Sequence, residues 1–443
     1  MELQEYLKNK LKSVGMDDVI VGKNYIKSYQ VKFANSKIVK TGIEVTEGVN
    51  VFVSKDKKIA VTSLKELSKG AADKTIKELV SFIKSIKPNP DYRGIAEGPF
   101  YYGKLQDYND NQVNNLEEEK IVDIVSEAIN IAHSNGARRT AGILEVNSVE
   151  GTLLSSNKVN VNDKSTSLYF SIRSFADKNA SGHKVCCSRV LSKLDYKWAA
   201  QESAHIAKMS LKPKVTNISG NMDVVFDPLP FSNILNHYGA AASIFSVESG
   251  LSFFMNKLNK KVAPSFVNII DDGTLANGFN SSTFDAEGVP TQRNDIIKKG
   301  ILNTFLHNTS TAKRYNTATT ANSGLVSPEP WNLVLESGDY KFDELIKEVK
   351  NGVYITNLWY TRFKNYAAGD FSTIPRDGIF YIKNGKIQYP IREIRVNDNM
   401  LNILNNIKAL GKDSRQVHGW EVSIPTLTPH ALIKNVSITK PQK

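Results

Sequence analysis

The side chains best suited to metal or nucleophile chemistry in this 443-residue chain are seven histidines and two cysteines, and their spacing is sparse. A catalytic zinc site takes three protein ligands. On a helix these are typically two histidines on one face, with a glutamate beside the first as general base. His237 lies in a helical run with no second histidine on its face, and His418 stands far away beside Gly419 and Trp420. Together they offer two ligands, one short of a working site. Glu202-x-x-His205 has the spacing of a di-metal carboxylate helix, but such sites need a repeated pair, and no second copy occurs. His133, His183, His307 and His430 have no patterned neighbours. Cys186 and Cys187 are adjacent, a geometry that strains a mutual bridge and lacks the C-x-x-C spacing of a structural zinc site, so buried structural thiols are expected. No G-x-S-x-G elbow and no glycine-rich phosphate loop is present. Asp285 and Glu287 stand beside Gly288 and Pro290, and that composition reads as a turn rather than a carboxylate dyad.

The elements that would position these groups follow from periodicity. Helices are expected over residues 3–14, 64–85, 115–134, 195–210, 231–247, 340–350 and 401–410, each with apolar residues near the 3.6 period or a cap signal. Alternating strands are expected over 29–33, 37–40, 43–45, 49–53, 59–62, 143–147, 152–156 and 167–173. A Pro-, Gly- and Tyr-rich loop spans 88–112. The second half begins with a strand ending at Asp227-Pro228. It continues through a turn at Asp271-Asp272-Gly273, a hairpin of 295–297 with 301–306, and a hairpin turning at Asn384-Gly385, the strongest short hairpin signal in the chain. The segment 357–378 concentrates aromatics and arginines around GDFS. It reads either as packing between sheets or as a peptide-lining or subunit-contact surface.

The order of motifs carries a resemblance. DDGTL at 271, FDAEGVPT at 284, GILNTFL at 300, NLVLESGD at 332 and IKNGKIQYP at 382 resemble the signature of the TldD/PmbA (TldD/TldE) peptidase family, and the likeness runs over nearly the whole chain. In its catalytic members the resemblance implies H-E-x-x-x-H on the helix after the Asp-Pro strand end, and a third ligand, a cysteine, near the C-terminus. Here Asn236 stands at the first histidine, His237 at the glutamate, Ala241 at the second histidine and His418 near the cysteine. None of the three helical groups is in place. The resemblance therefore implies the zinc-less PmbA/TldE type: a non-catalytic subunit with no cofactor of its own. It would pair with a zinc-bearing TldD-like chain, or with itself as a dimer, in a complex acting on peptides. A self-sufficient peptidase using His237 or His418 as a degenerate metal site is the alternative from the enzyme class.

Composition bounds these readings. With 41% apolar and 23% charged residues the chain can bury a large core. The expectation is an α+β, two-lobed molecule: an N-terminal mixed α/β domain, 1–212, and a C-terminal domain, 213–443, rich in antiparallel strands with a few helices. No apolar run is long enough for a membrane span, and the first residues lack the apolar core of a secretory signal, so a cytoplasmic location is expected. The net charge of +12 raises a basic nucleic-acid-binding module as a third reading, but the lysines are scattered over turns and no nucleic-acid motif accompanies them. Neither a nucleic-acid nor a membrane partner is expected.

Overall fold

In the computed structural model, which describes residues 2–440, two sheets organise the chain. Among the described residues the first has six strands in the order β3-β2-β1-β4-β5-β6: β1 Asp18–Ala34, β2 Lys37–Lys55, β3 Lys58–Leu64, β4 Arg139–Ser155, β5 Asn160–Asp177 and β6 Ala180–Ser188. Every pairing is antiparallel. Four of these strands run 17 to 19 residues, so the short segments expected at 29–33, 37–40, 43–45 and 49–53 are parts of two long ribbons. Polar residues interrupt the apolar alternation where the strands are exposed, and that hid their length.

Side-chain alternation sorts the two faces of this sheet. Val19, Val21, Val49, Val51 and Val53 lie under α1 (Leu3–Ser13) and α2 (Lys69–Ser85), while Tyr29, Val31, Phe33, Leu144 and Phe170 lie under α4 (Glu118–Ser134) and α5 (Tyr196–Met209). A short α3, Asn111–Asn114, sits at the end of the loop expected over 88–112. The opposite face of β1 and β2 presents Ile20, Gly22, Asn24, Asn50 and Phe52. It carries no helix and turns towards the second half of the chain.

The second sheet is mixed. Its long strand Val422–Thr439 pairs antiparallel with Ile407–Gly419, Gly220–Phe226 and Arg395–Asn399, and parallel with Leu333–Leu335. Its main core gathers Phe226, Phe231, Tyr238, Phe253, Phe254 and Phe371 around α6 (Pro228–Ala242). The α+β, strand-rich expectation agrees with this architecture.

Several expected boundaries move. The helix expected at 231–247 is two: α6 starts at Pro228, with Asp227 capping it by accepting the Leu229 N–H (3.2 Å), and a separate turn runs Ile244–Glu248. The helix expected at 401–410 stops at Asn405. Asn399 caps its start, and Ile407 opens a strand that runs through Gly411, so that glycine caps nothing. The helix expected at 340–350 shortens to Phe342–Lys347, and Gly352 lies inside the strand Asn351–Ile355. In the hairpin after the signature only Ile301–Leu302 forms the return strand. The hairpin at Asn384-Gly385 is present, with both residues at positive φ (51° and 72°) as a tight primed turn requires.

Candidate functional site

A cavity of about 560 Å3 lies between the helix-free face of the first sheet and the loops of the second half. Ile20, Gly22 and Asn24 of β1 and Gly151 and Leu153 of β4 form one wall. Phe279–Ser282, Asp285, Trp331, His418 and Pro425 form the other.

The FDAEGVPT segment builds its part of this wall as a turn, as expected, and adds something the spacing alone did not show. Asp285 accepts the backbone N–H groups of Glu287 (2.9 Å), Val289 (3.0 Å) and Ser323 (3.0 Å). Gly288 adopts φ +82°, and a Cβ there would come within 2.4 Å of Val159. Glu287 accepts the Ala96 N–H (3.2 Å) and the Ser323 hydroxyl (3.1 Å), tying the N-terminal 88–110 loop to the second half. Both carboxyls are buried, and among the described residues no cation lies against them. Burial raises both pKa values, and the Glu287 charge adds to the rise at Asp285. Asp271, fully buried, accepts from Asn322 Nδ2 and the Trp331 N–H, each at 2.6 Å, and burial pushes it up to about 7. These carboxylates hold loops together through backbone and amide donors.

The floor of the cavity rests on Arg189, which sequence reasoning missed. It is buried, donates to the carbonyls of Thr166, Gly278 and Ser281, and lies 5.0 Å from the Tyr108 ring centre. Its only signal in the sequence was a lone arginine after a strand.

The positions matching the family's zinc motif do not assemble a donor set. The Asn236 amide is fully used: its Nδ2 donates to Ser232 O (3.1 Å), Ile424 O (2.8 Å) and Thr426 Oγ1 (3.0 Å), and its Oδ1 accepts the Ile424 N–H (2.8 Å). It works as a clamp between α6 and the strand Val422–Thr439. Ala241 is buried and carries no donor atom. His237 meets Phe363 edge-on (ring centres 4.9 Å apart), and burial, with Arg362 nearby, lowers its pKa to about 4. His418 sits between Phe279 (4.8 Å) and Tyr169 (5.7 Å), and burial lowers its pKa. Its Nδ1 is buried without a partner, and it lines the main cavity. The two histidines thus stand in different surroundings. Among the described residues no three His, Cys, Asp or Glu side chains converge as metal ligands. The chemistry of these residues does not fit the zinc that the fold family implies.

A second arrangement appears only in three dimensions. His183 Nε2 lies 3.0 Å from Ser171 Oγ, and its Nδ1 lies 3.2 Å from Asn357 Nδ2. The Asn357 amide is oriented by its 2.6 Å bond to Asp377, so it donates to Nδ1 and leaves the proton on Nε2. That tautomer donates to Ser171 and cannot take its proton, so this is a buried polar bridge and not a nucleophile–base pair. Cys186 and Cys187 are free and buried, and burial raises both thiol pKa values.

Residues 219–440 match the family model described as the PmbA/TldA metallopeptidase C-terminal domain, half of the chain. The chain belongs to the PmbA/TldD family. A metalloprotease of Methanothermobacter thermautotrophicus is 29% identical over 58% of this chain and 59% of its own length. A metalloprotease PmbA homologue of Buchnera aphidicola is 30% identical over 44% of this chain and 43% of its own. The chain thus spans about half the length of the curated relatives it matches. The fold is shared end to end with the crystal structure of TldE from Thermococcus kodakarensis: TM-score 0.88, 17% identity, 99% of this chain and 100% of that one. The family assignment agrees with the resemblance read from the signature motifs.

Proposed function

We propose that this chain is the metal-free, TldE-like subunit of a cytoplasmic peptidase complex, paired with a TldD-like chain that carries the zinc and does the cutting. The observation that carries the reading is the donor set on α6. Where a catalytic member would present two histidines and a glutamate, this helix presents an amide saturated by four hydrogen bonds, an aromatic-packed histidine and a methyl group. Removing a general base and two ligands removes the means of activating water. What remains supports peptide handling: a cavity of about 560 Å3 between the first sheet and the loops of the second half, lined by strand residues, aromatic rings and hydroxyls. The subunit would complete that channel and the assembly. The test is capture of the tagged chain from its native host, followed by zinc analysis and peptide cleavage assays on the complex recovered. A second, zinc-containing family member with chelator-sensitive cleavage is expected. Recovery of this chain alone with such cleavage would overturn the reading.

A further inference from the structure

A second large cavity, of about 610 Å3, borders the aromatic segment 357–378. Its walls carry five cationic side chains, Arg173, Lys178, Arg376, Arg392 and Arg395, against two carboxylates, Asp377 and Glu393. Both carboxylates are already engaged. Asp377 accepts from Arg173 (3.2 Å), Ser181 (2.6 Å) and Asn357 (2.6 Å), and Glu393 lies 3.6 Å from Arg392. Among the described residues, Lys178, Arg376 and Arg395 have no carboxylate within ion-pair distance. Arg395 makes one bond, to Ser372 Oγ (2.7 Å). The Arg173 guanidinium lies 4.4 Å from the Trp359 ring centre, and its buried Nε has no acceptor.

The backbone is set unusually here. Tyr360, Asp377 and Glu393 line this cavity, and all three are left-handed non-glycine residues (φ 59°, 57° and 65°), a conformation that bulky side chains seldom adopt and that concentrates at ligand sites. The charge left over is positive. Guanidinium groups, with their planar forks, match carboxylate geometry.

We propose that this cavity binds the carboxylates of acidic peptide segments, which rests on the peptide-handling reading above and gives it a substrate class. Location favours a peptide over a small anion. Trp359 lines both this cavity and a smaller one of about 120 Å3, and that smaller one shares His418 with the main cavity. Three neighbouring cavities therefore run from the signature wall to the cationic one. Apolar side chains, Ile374, Pro375, Ile379, Pro390 and Ile391, line the same cavity among the charges and suit a polypeptide.

The experiment is fluorescence anisotropy on the purified full-length chain, with a labelled decapeptide rich in glutamate, its glutamine-matched counterpart, and inorganic phosphate as competitor. The glutamate peptide is expected to bind at least about tenfold tighter, the scale of one charge-assisted hydrogen bond. Its affinity should fall steeply with salt. Arg376→Gln with Arg395→Gln should bring it to the level of the glutamine peptide. Lys178→Gln, on an exposed turn, should give a smaller loss and covers the case in which the double variant misfolds. Equal binding of the two peptides would overturn this inference and leave the peptide-handling reading standing. Displacement of the glutamate peptide by phosphate at concentrations where chloride of equal ionic strength leaves it bound would overturn it in favour of a small anion. Absence of binding by either peptide would overturn both.

Discussion

Two buried polar regions of the molecule treat their charges in opposite ways. At the start of α6, Asp227 is tied to Lys184 (2.6 Å) and to the Tyr354 hydroxyl (2.8 Å), with His430 at 3.5 Å. Burial alone would raise its pKa, but Lys184 and His430 outweigh burial and hold the carboxyl well below the usual range. One helical face further on, Asn236 does its work with a neutral amide. In the signature region, Asp271, Asp285 and Glu287 are just as buried but meet only neutral donors, and their pKa values rise. The first region uses its polar groups to anchor the start of α6. The second uses three acids to fasten loops.

That contrast can be broken most forcefully at Asp227. Asp227→Ala leaves Lys184 buried without its counter-charge and is expected to destabilise the fold by about 3–5 kcal/mol, measured by denaturant unfolding. A loss below 1 kcal/mol would mean that the pair is not as enclosed as its 4% side-chain exposures indicate.

Opposite pH dependences sharpen the comparison. The Asp227 pKa is depressed on folding, so its stabilisation is present above the unfolded value near 3.8 and is lost as pH falls from there through the lower folded value. The Asp271 pKa is raised to about 7 on folding. Above pH 3.8 the unfolded chain releases a proton that the folded chain keeps, so this residue lowers stability progressively between about pH 4 and 7, by about 4 kcal/mol in all. Asp271→Asn should flatten that slope, at the cost of placing an NH2 opposite a donor. An unchanged slope in unfolding measurements across this range would contradict the assignment.

Asn236→Ala should cost about 2 kcal/mol, because it strands the Ile424 N–H and neighbouring acceptors, and it should leave metal content unchanged. Metal loss on this substitution would reveal a ligand role. The smallest effect is expected from His237→Phe, which keeps the contact with Phe363 and should shift stability by less than about 1 kcal/mol. NMR titration of the wild-type chain should find His237 neutral down to pH near 4.

Much of this was legible in the chain. The Asn384-Gly385 hairpin, the Asp-Pro strand end and the α6 helix announce themselves locally, because turn chemistry and 3.6 periodicity are local. The full lengths of β1 and β2 were not, since residues 22–28 of β1 and 37–48 of β2, Lys40 and Glu44 among them, are exposed or half-buried and interrupt the buried alternation. The site divided similarly. The missing donors at Asn236 and Ala241 follow from residue type alone. The use of the Asn236 amide depends on a strand 188 residues away, and the link between Glu287 and Ala96 spans 191. The basic cavity joins Arg173 of β5 to Arg376 and Arg395 from the second half, and no window of sequence contains all three.

The central claim, that this scaffold does not cut by itself, is tested most directly on the purified chain: zinc stoichiometry together with cleavage of unstructured peptides, with and without chelator. The expected result is no stoichiometric zinc and no cleavage until a TldD-like chain is added. One zinc per chain with chelator-sensitive cleavage by this chain alone would contradict it.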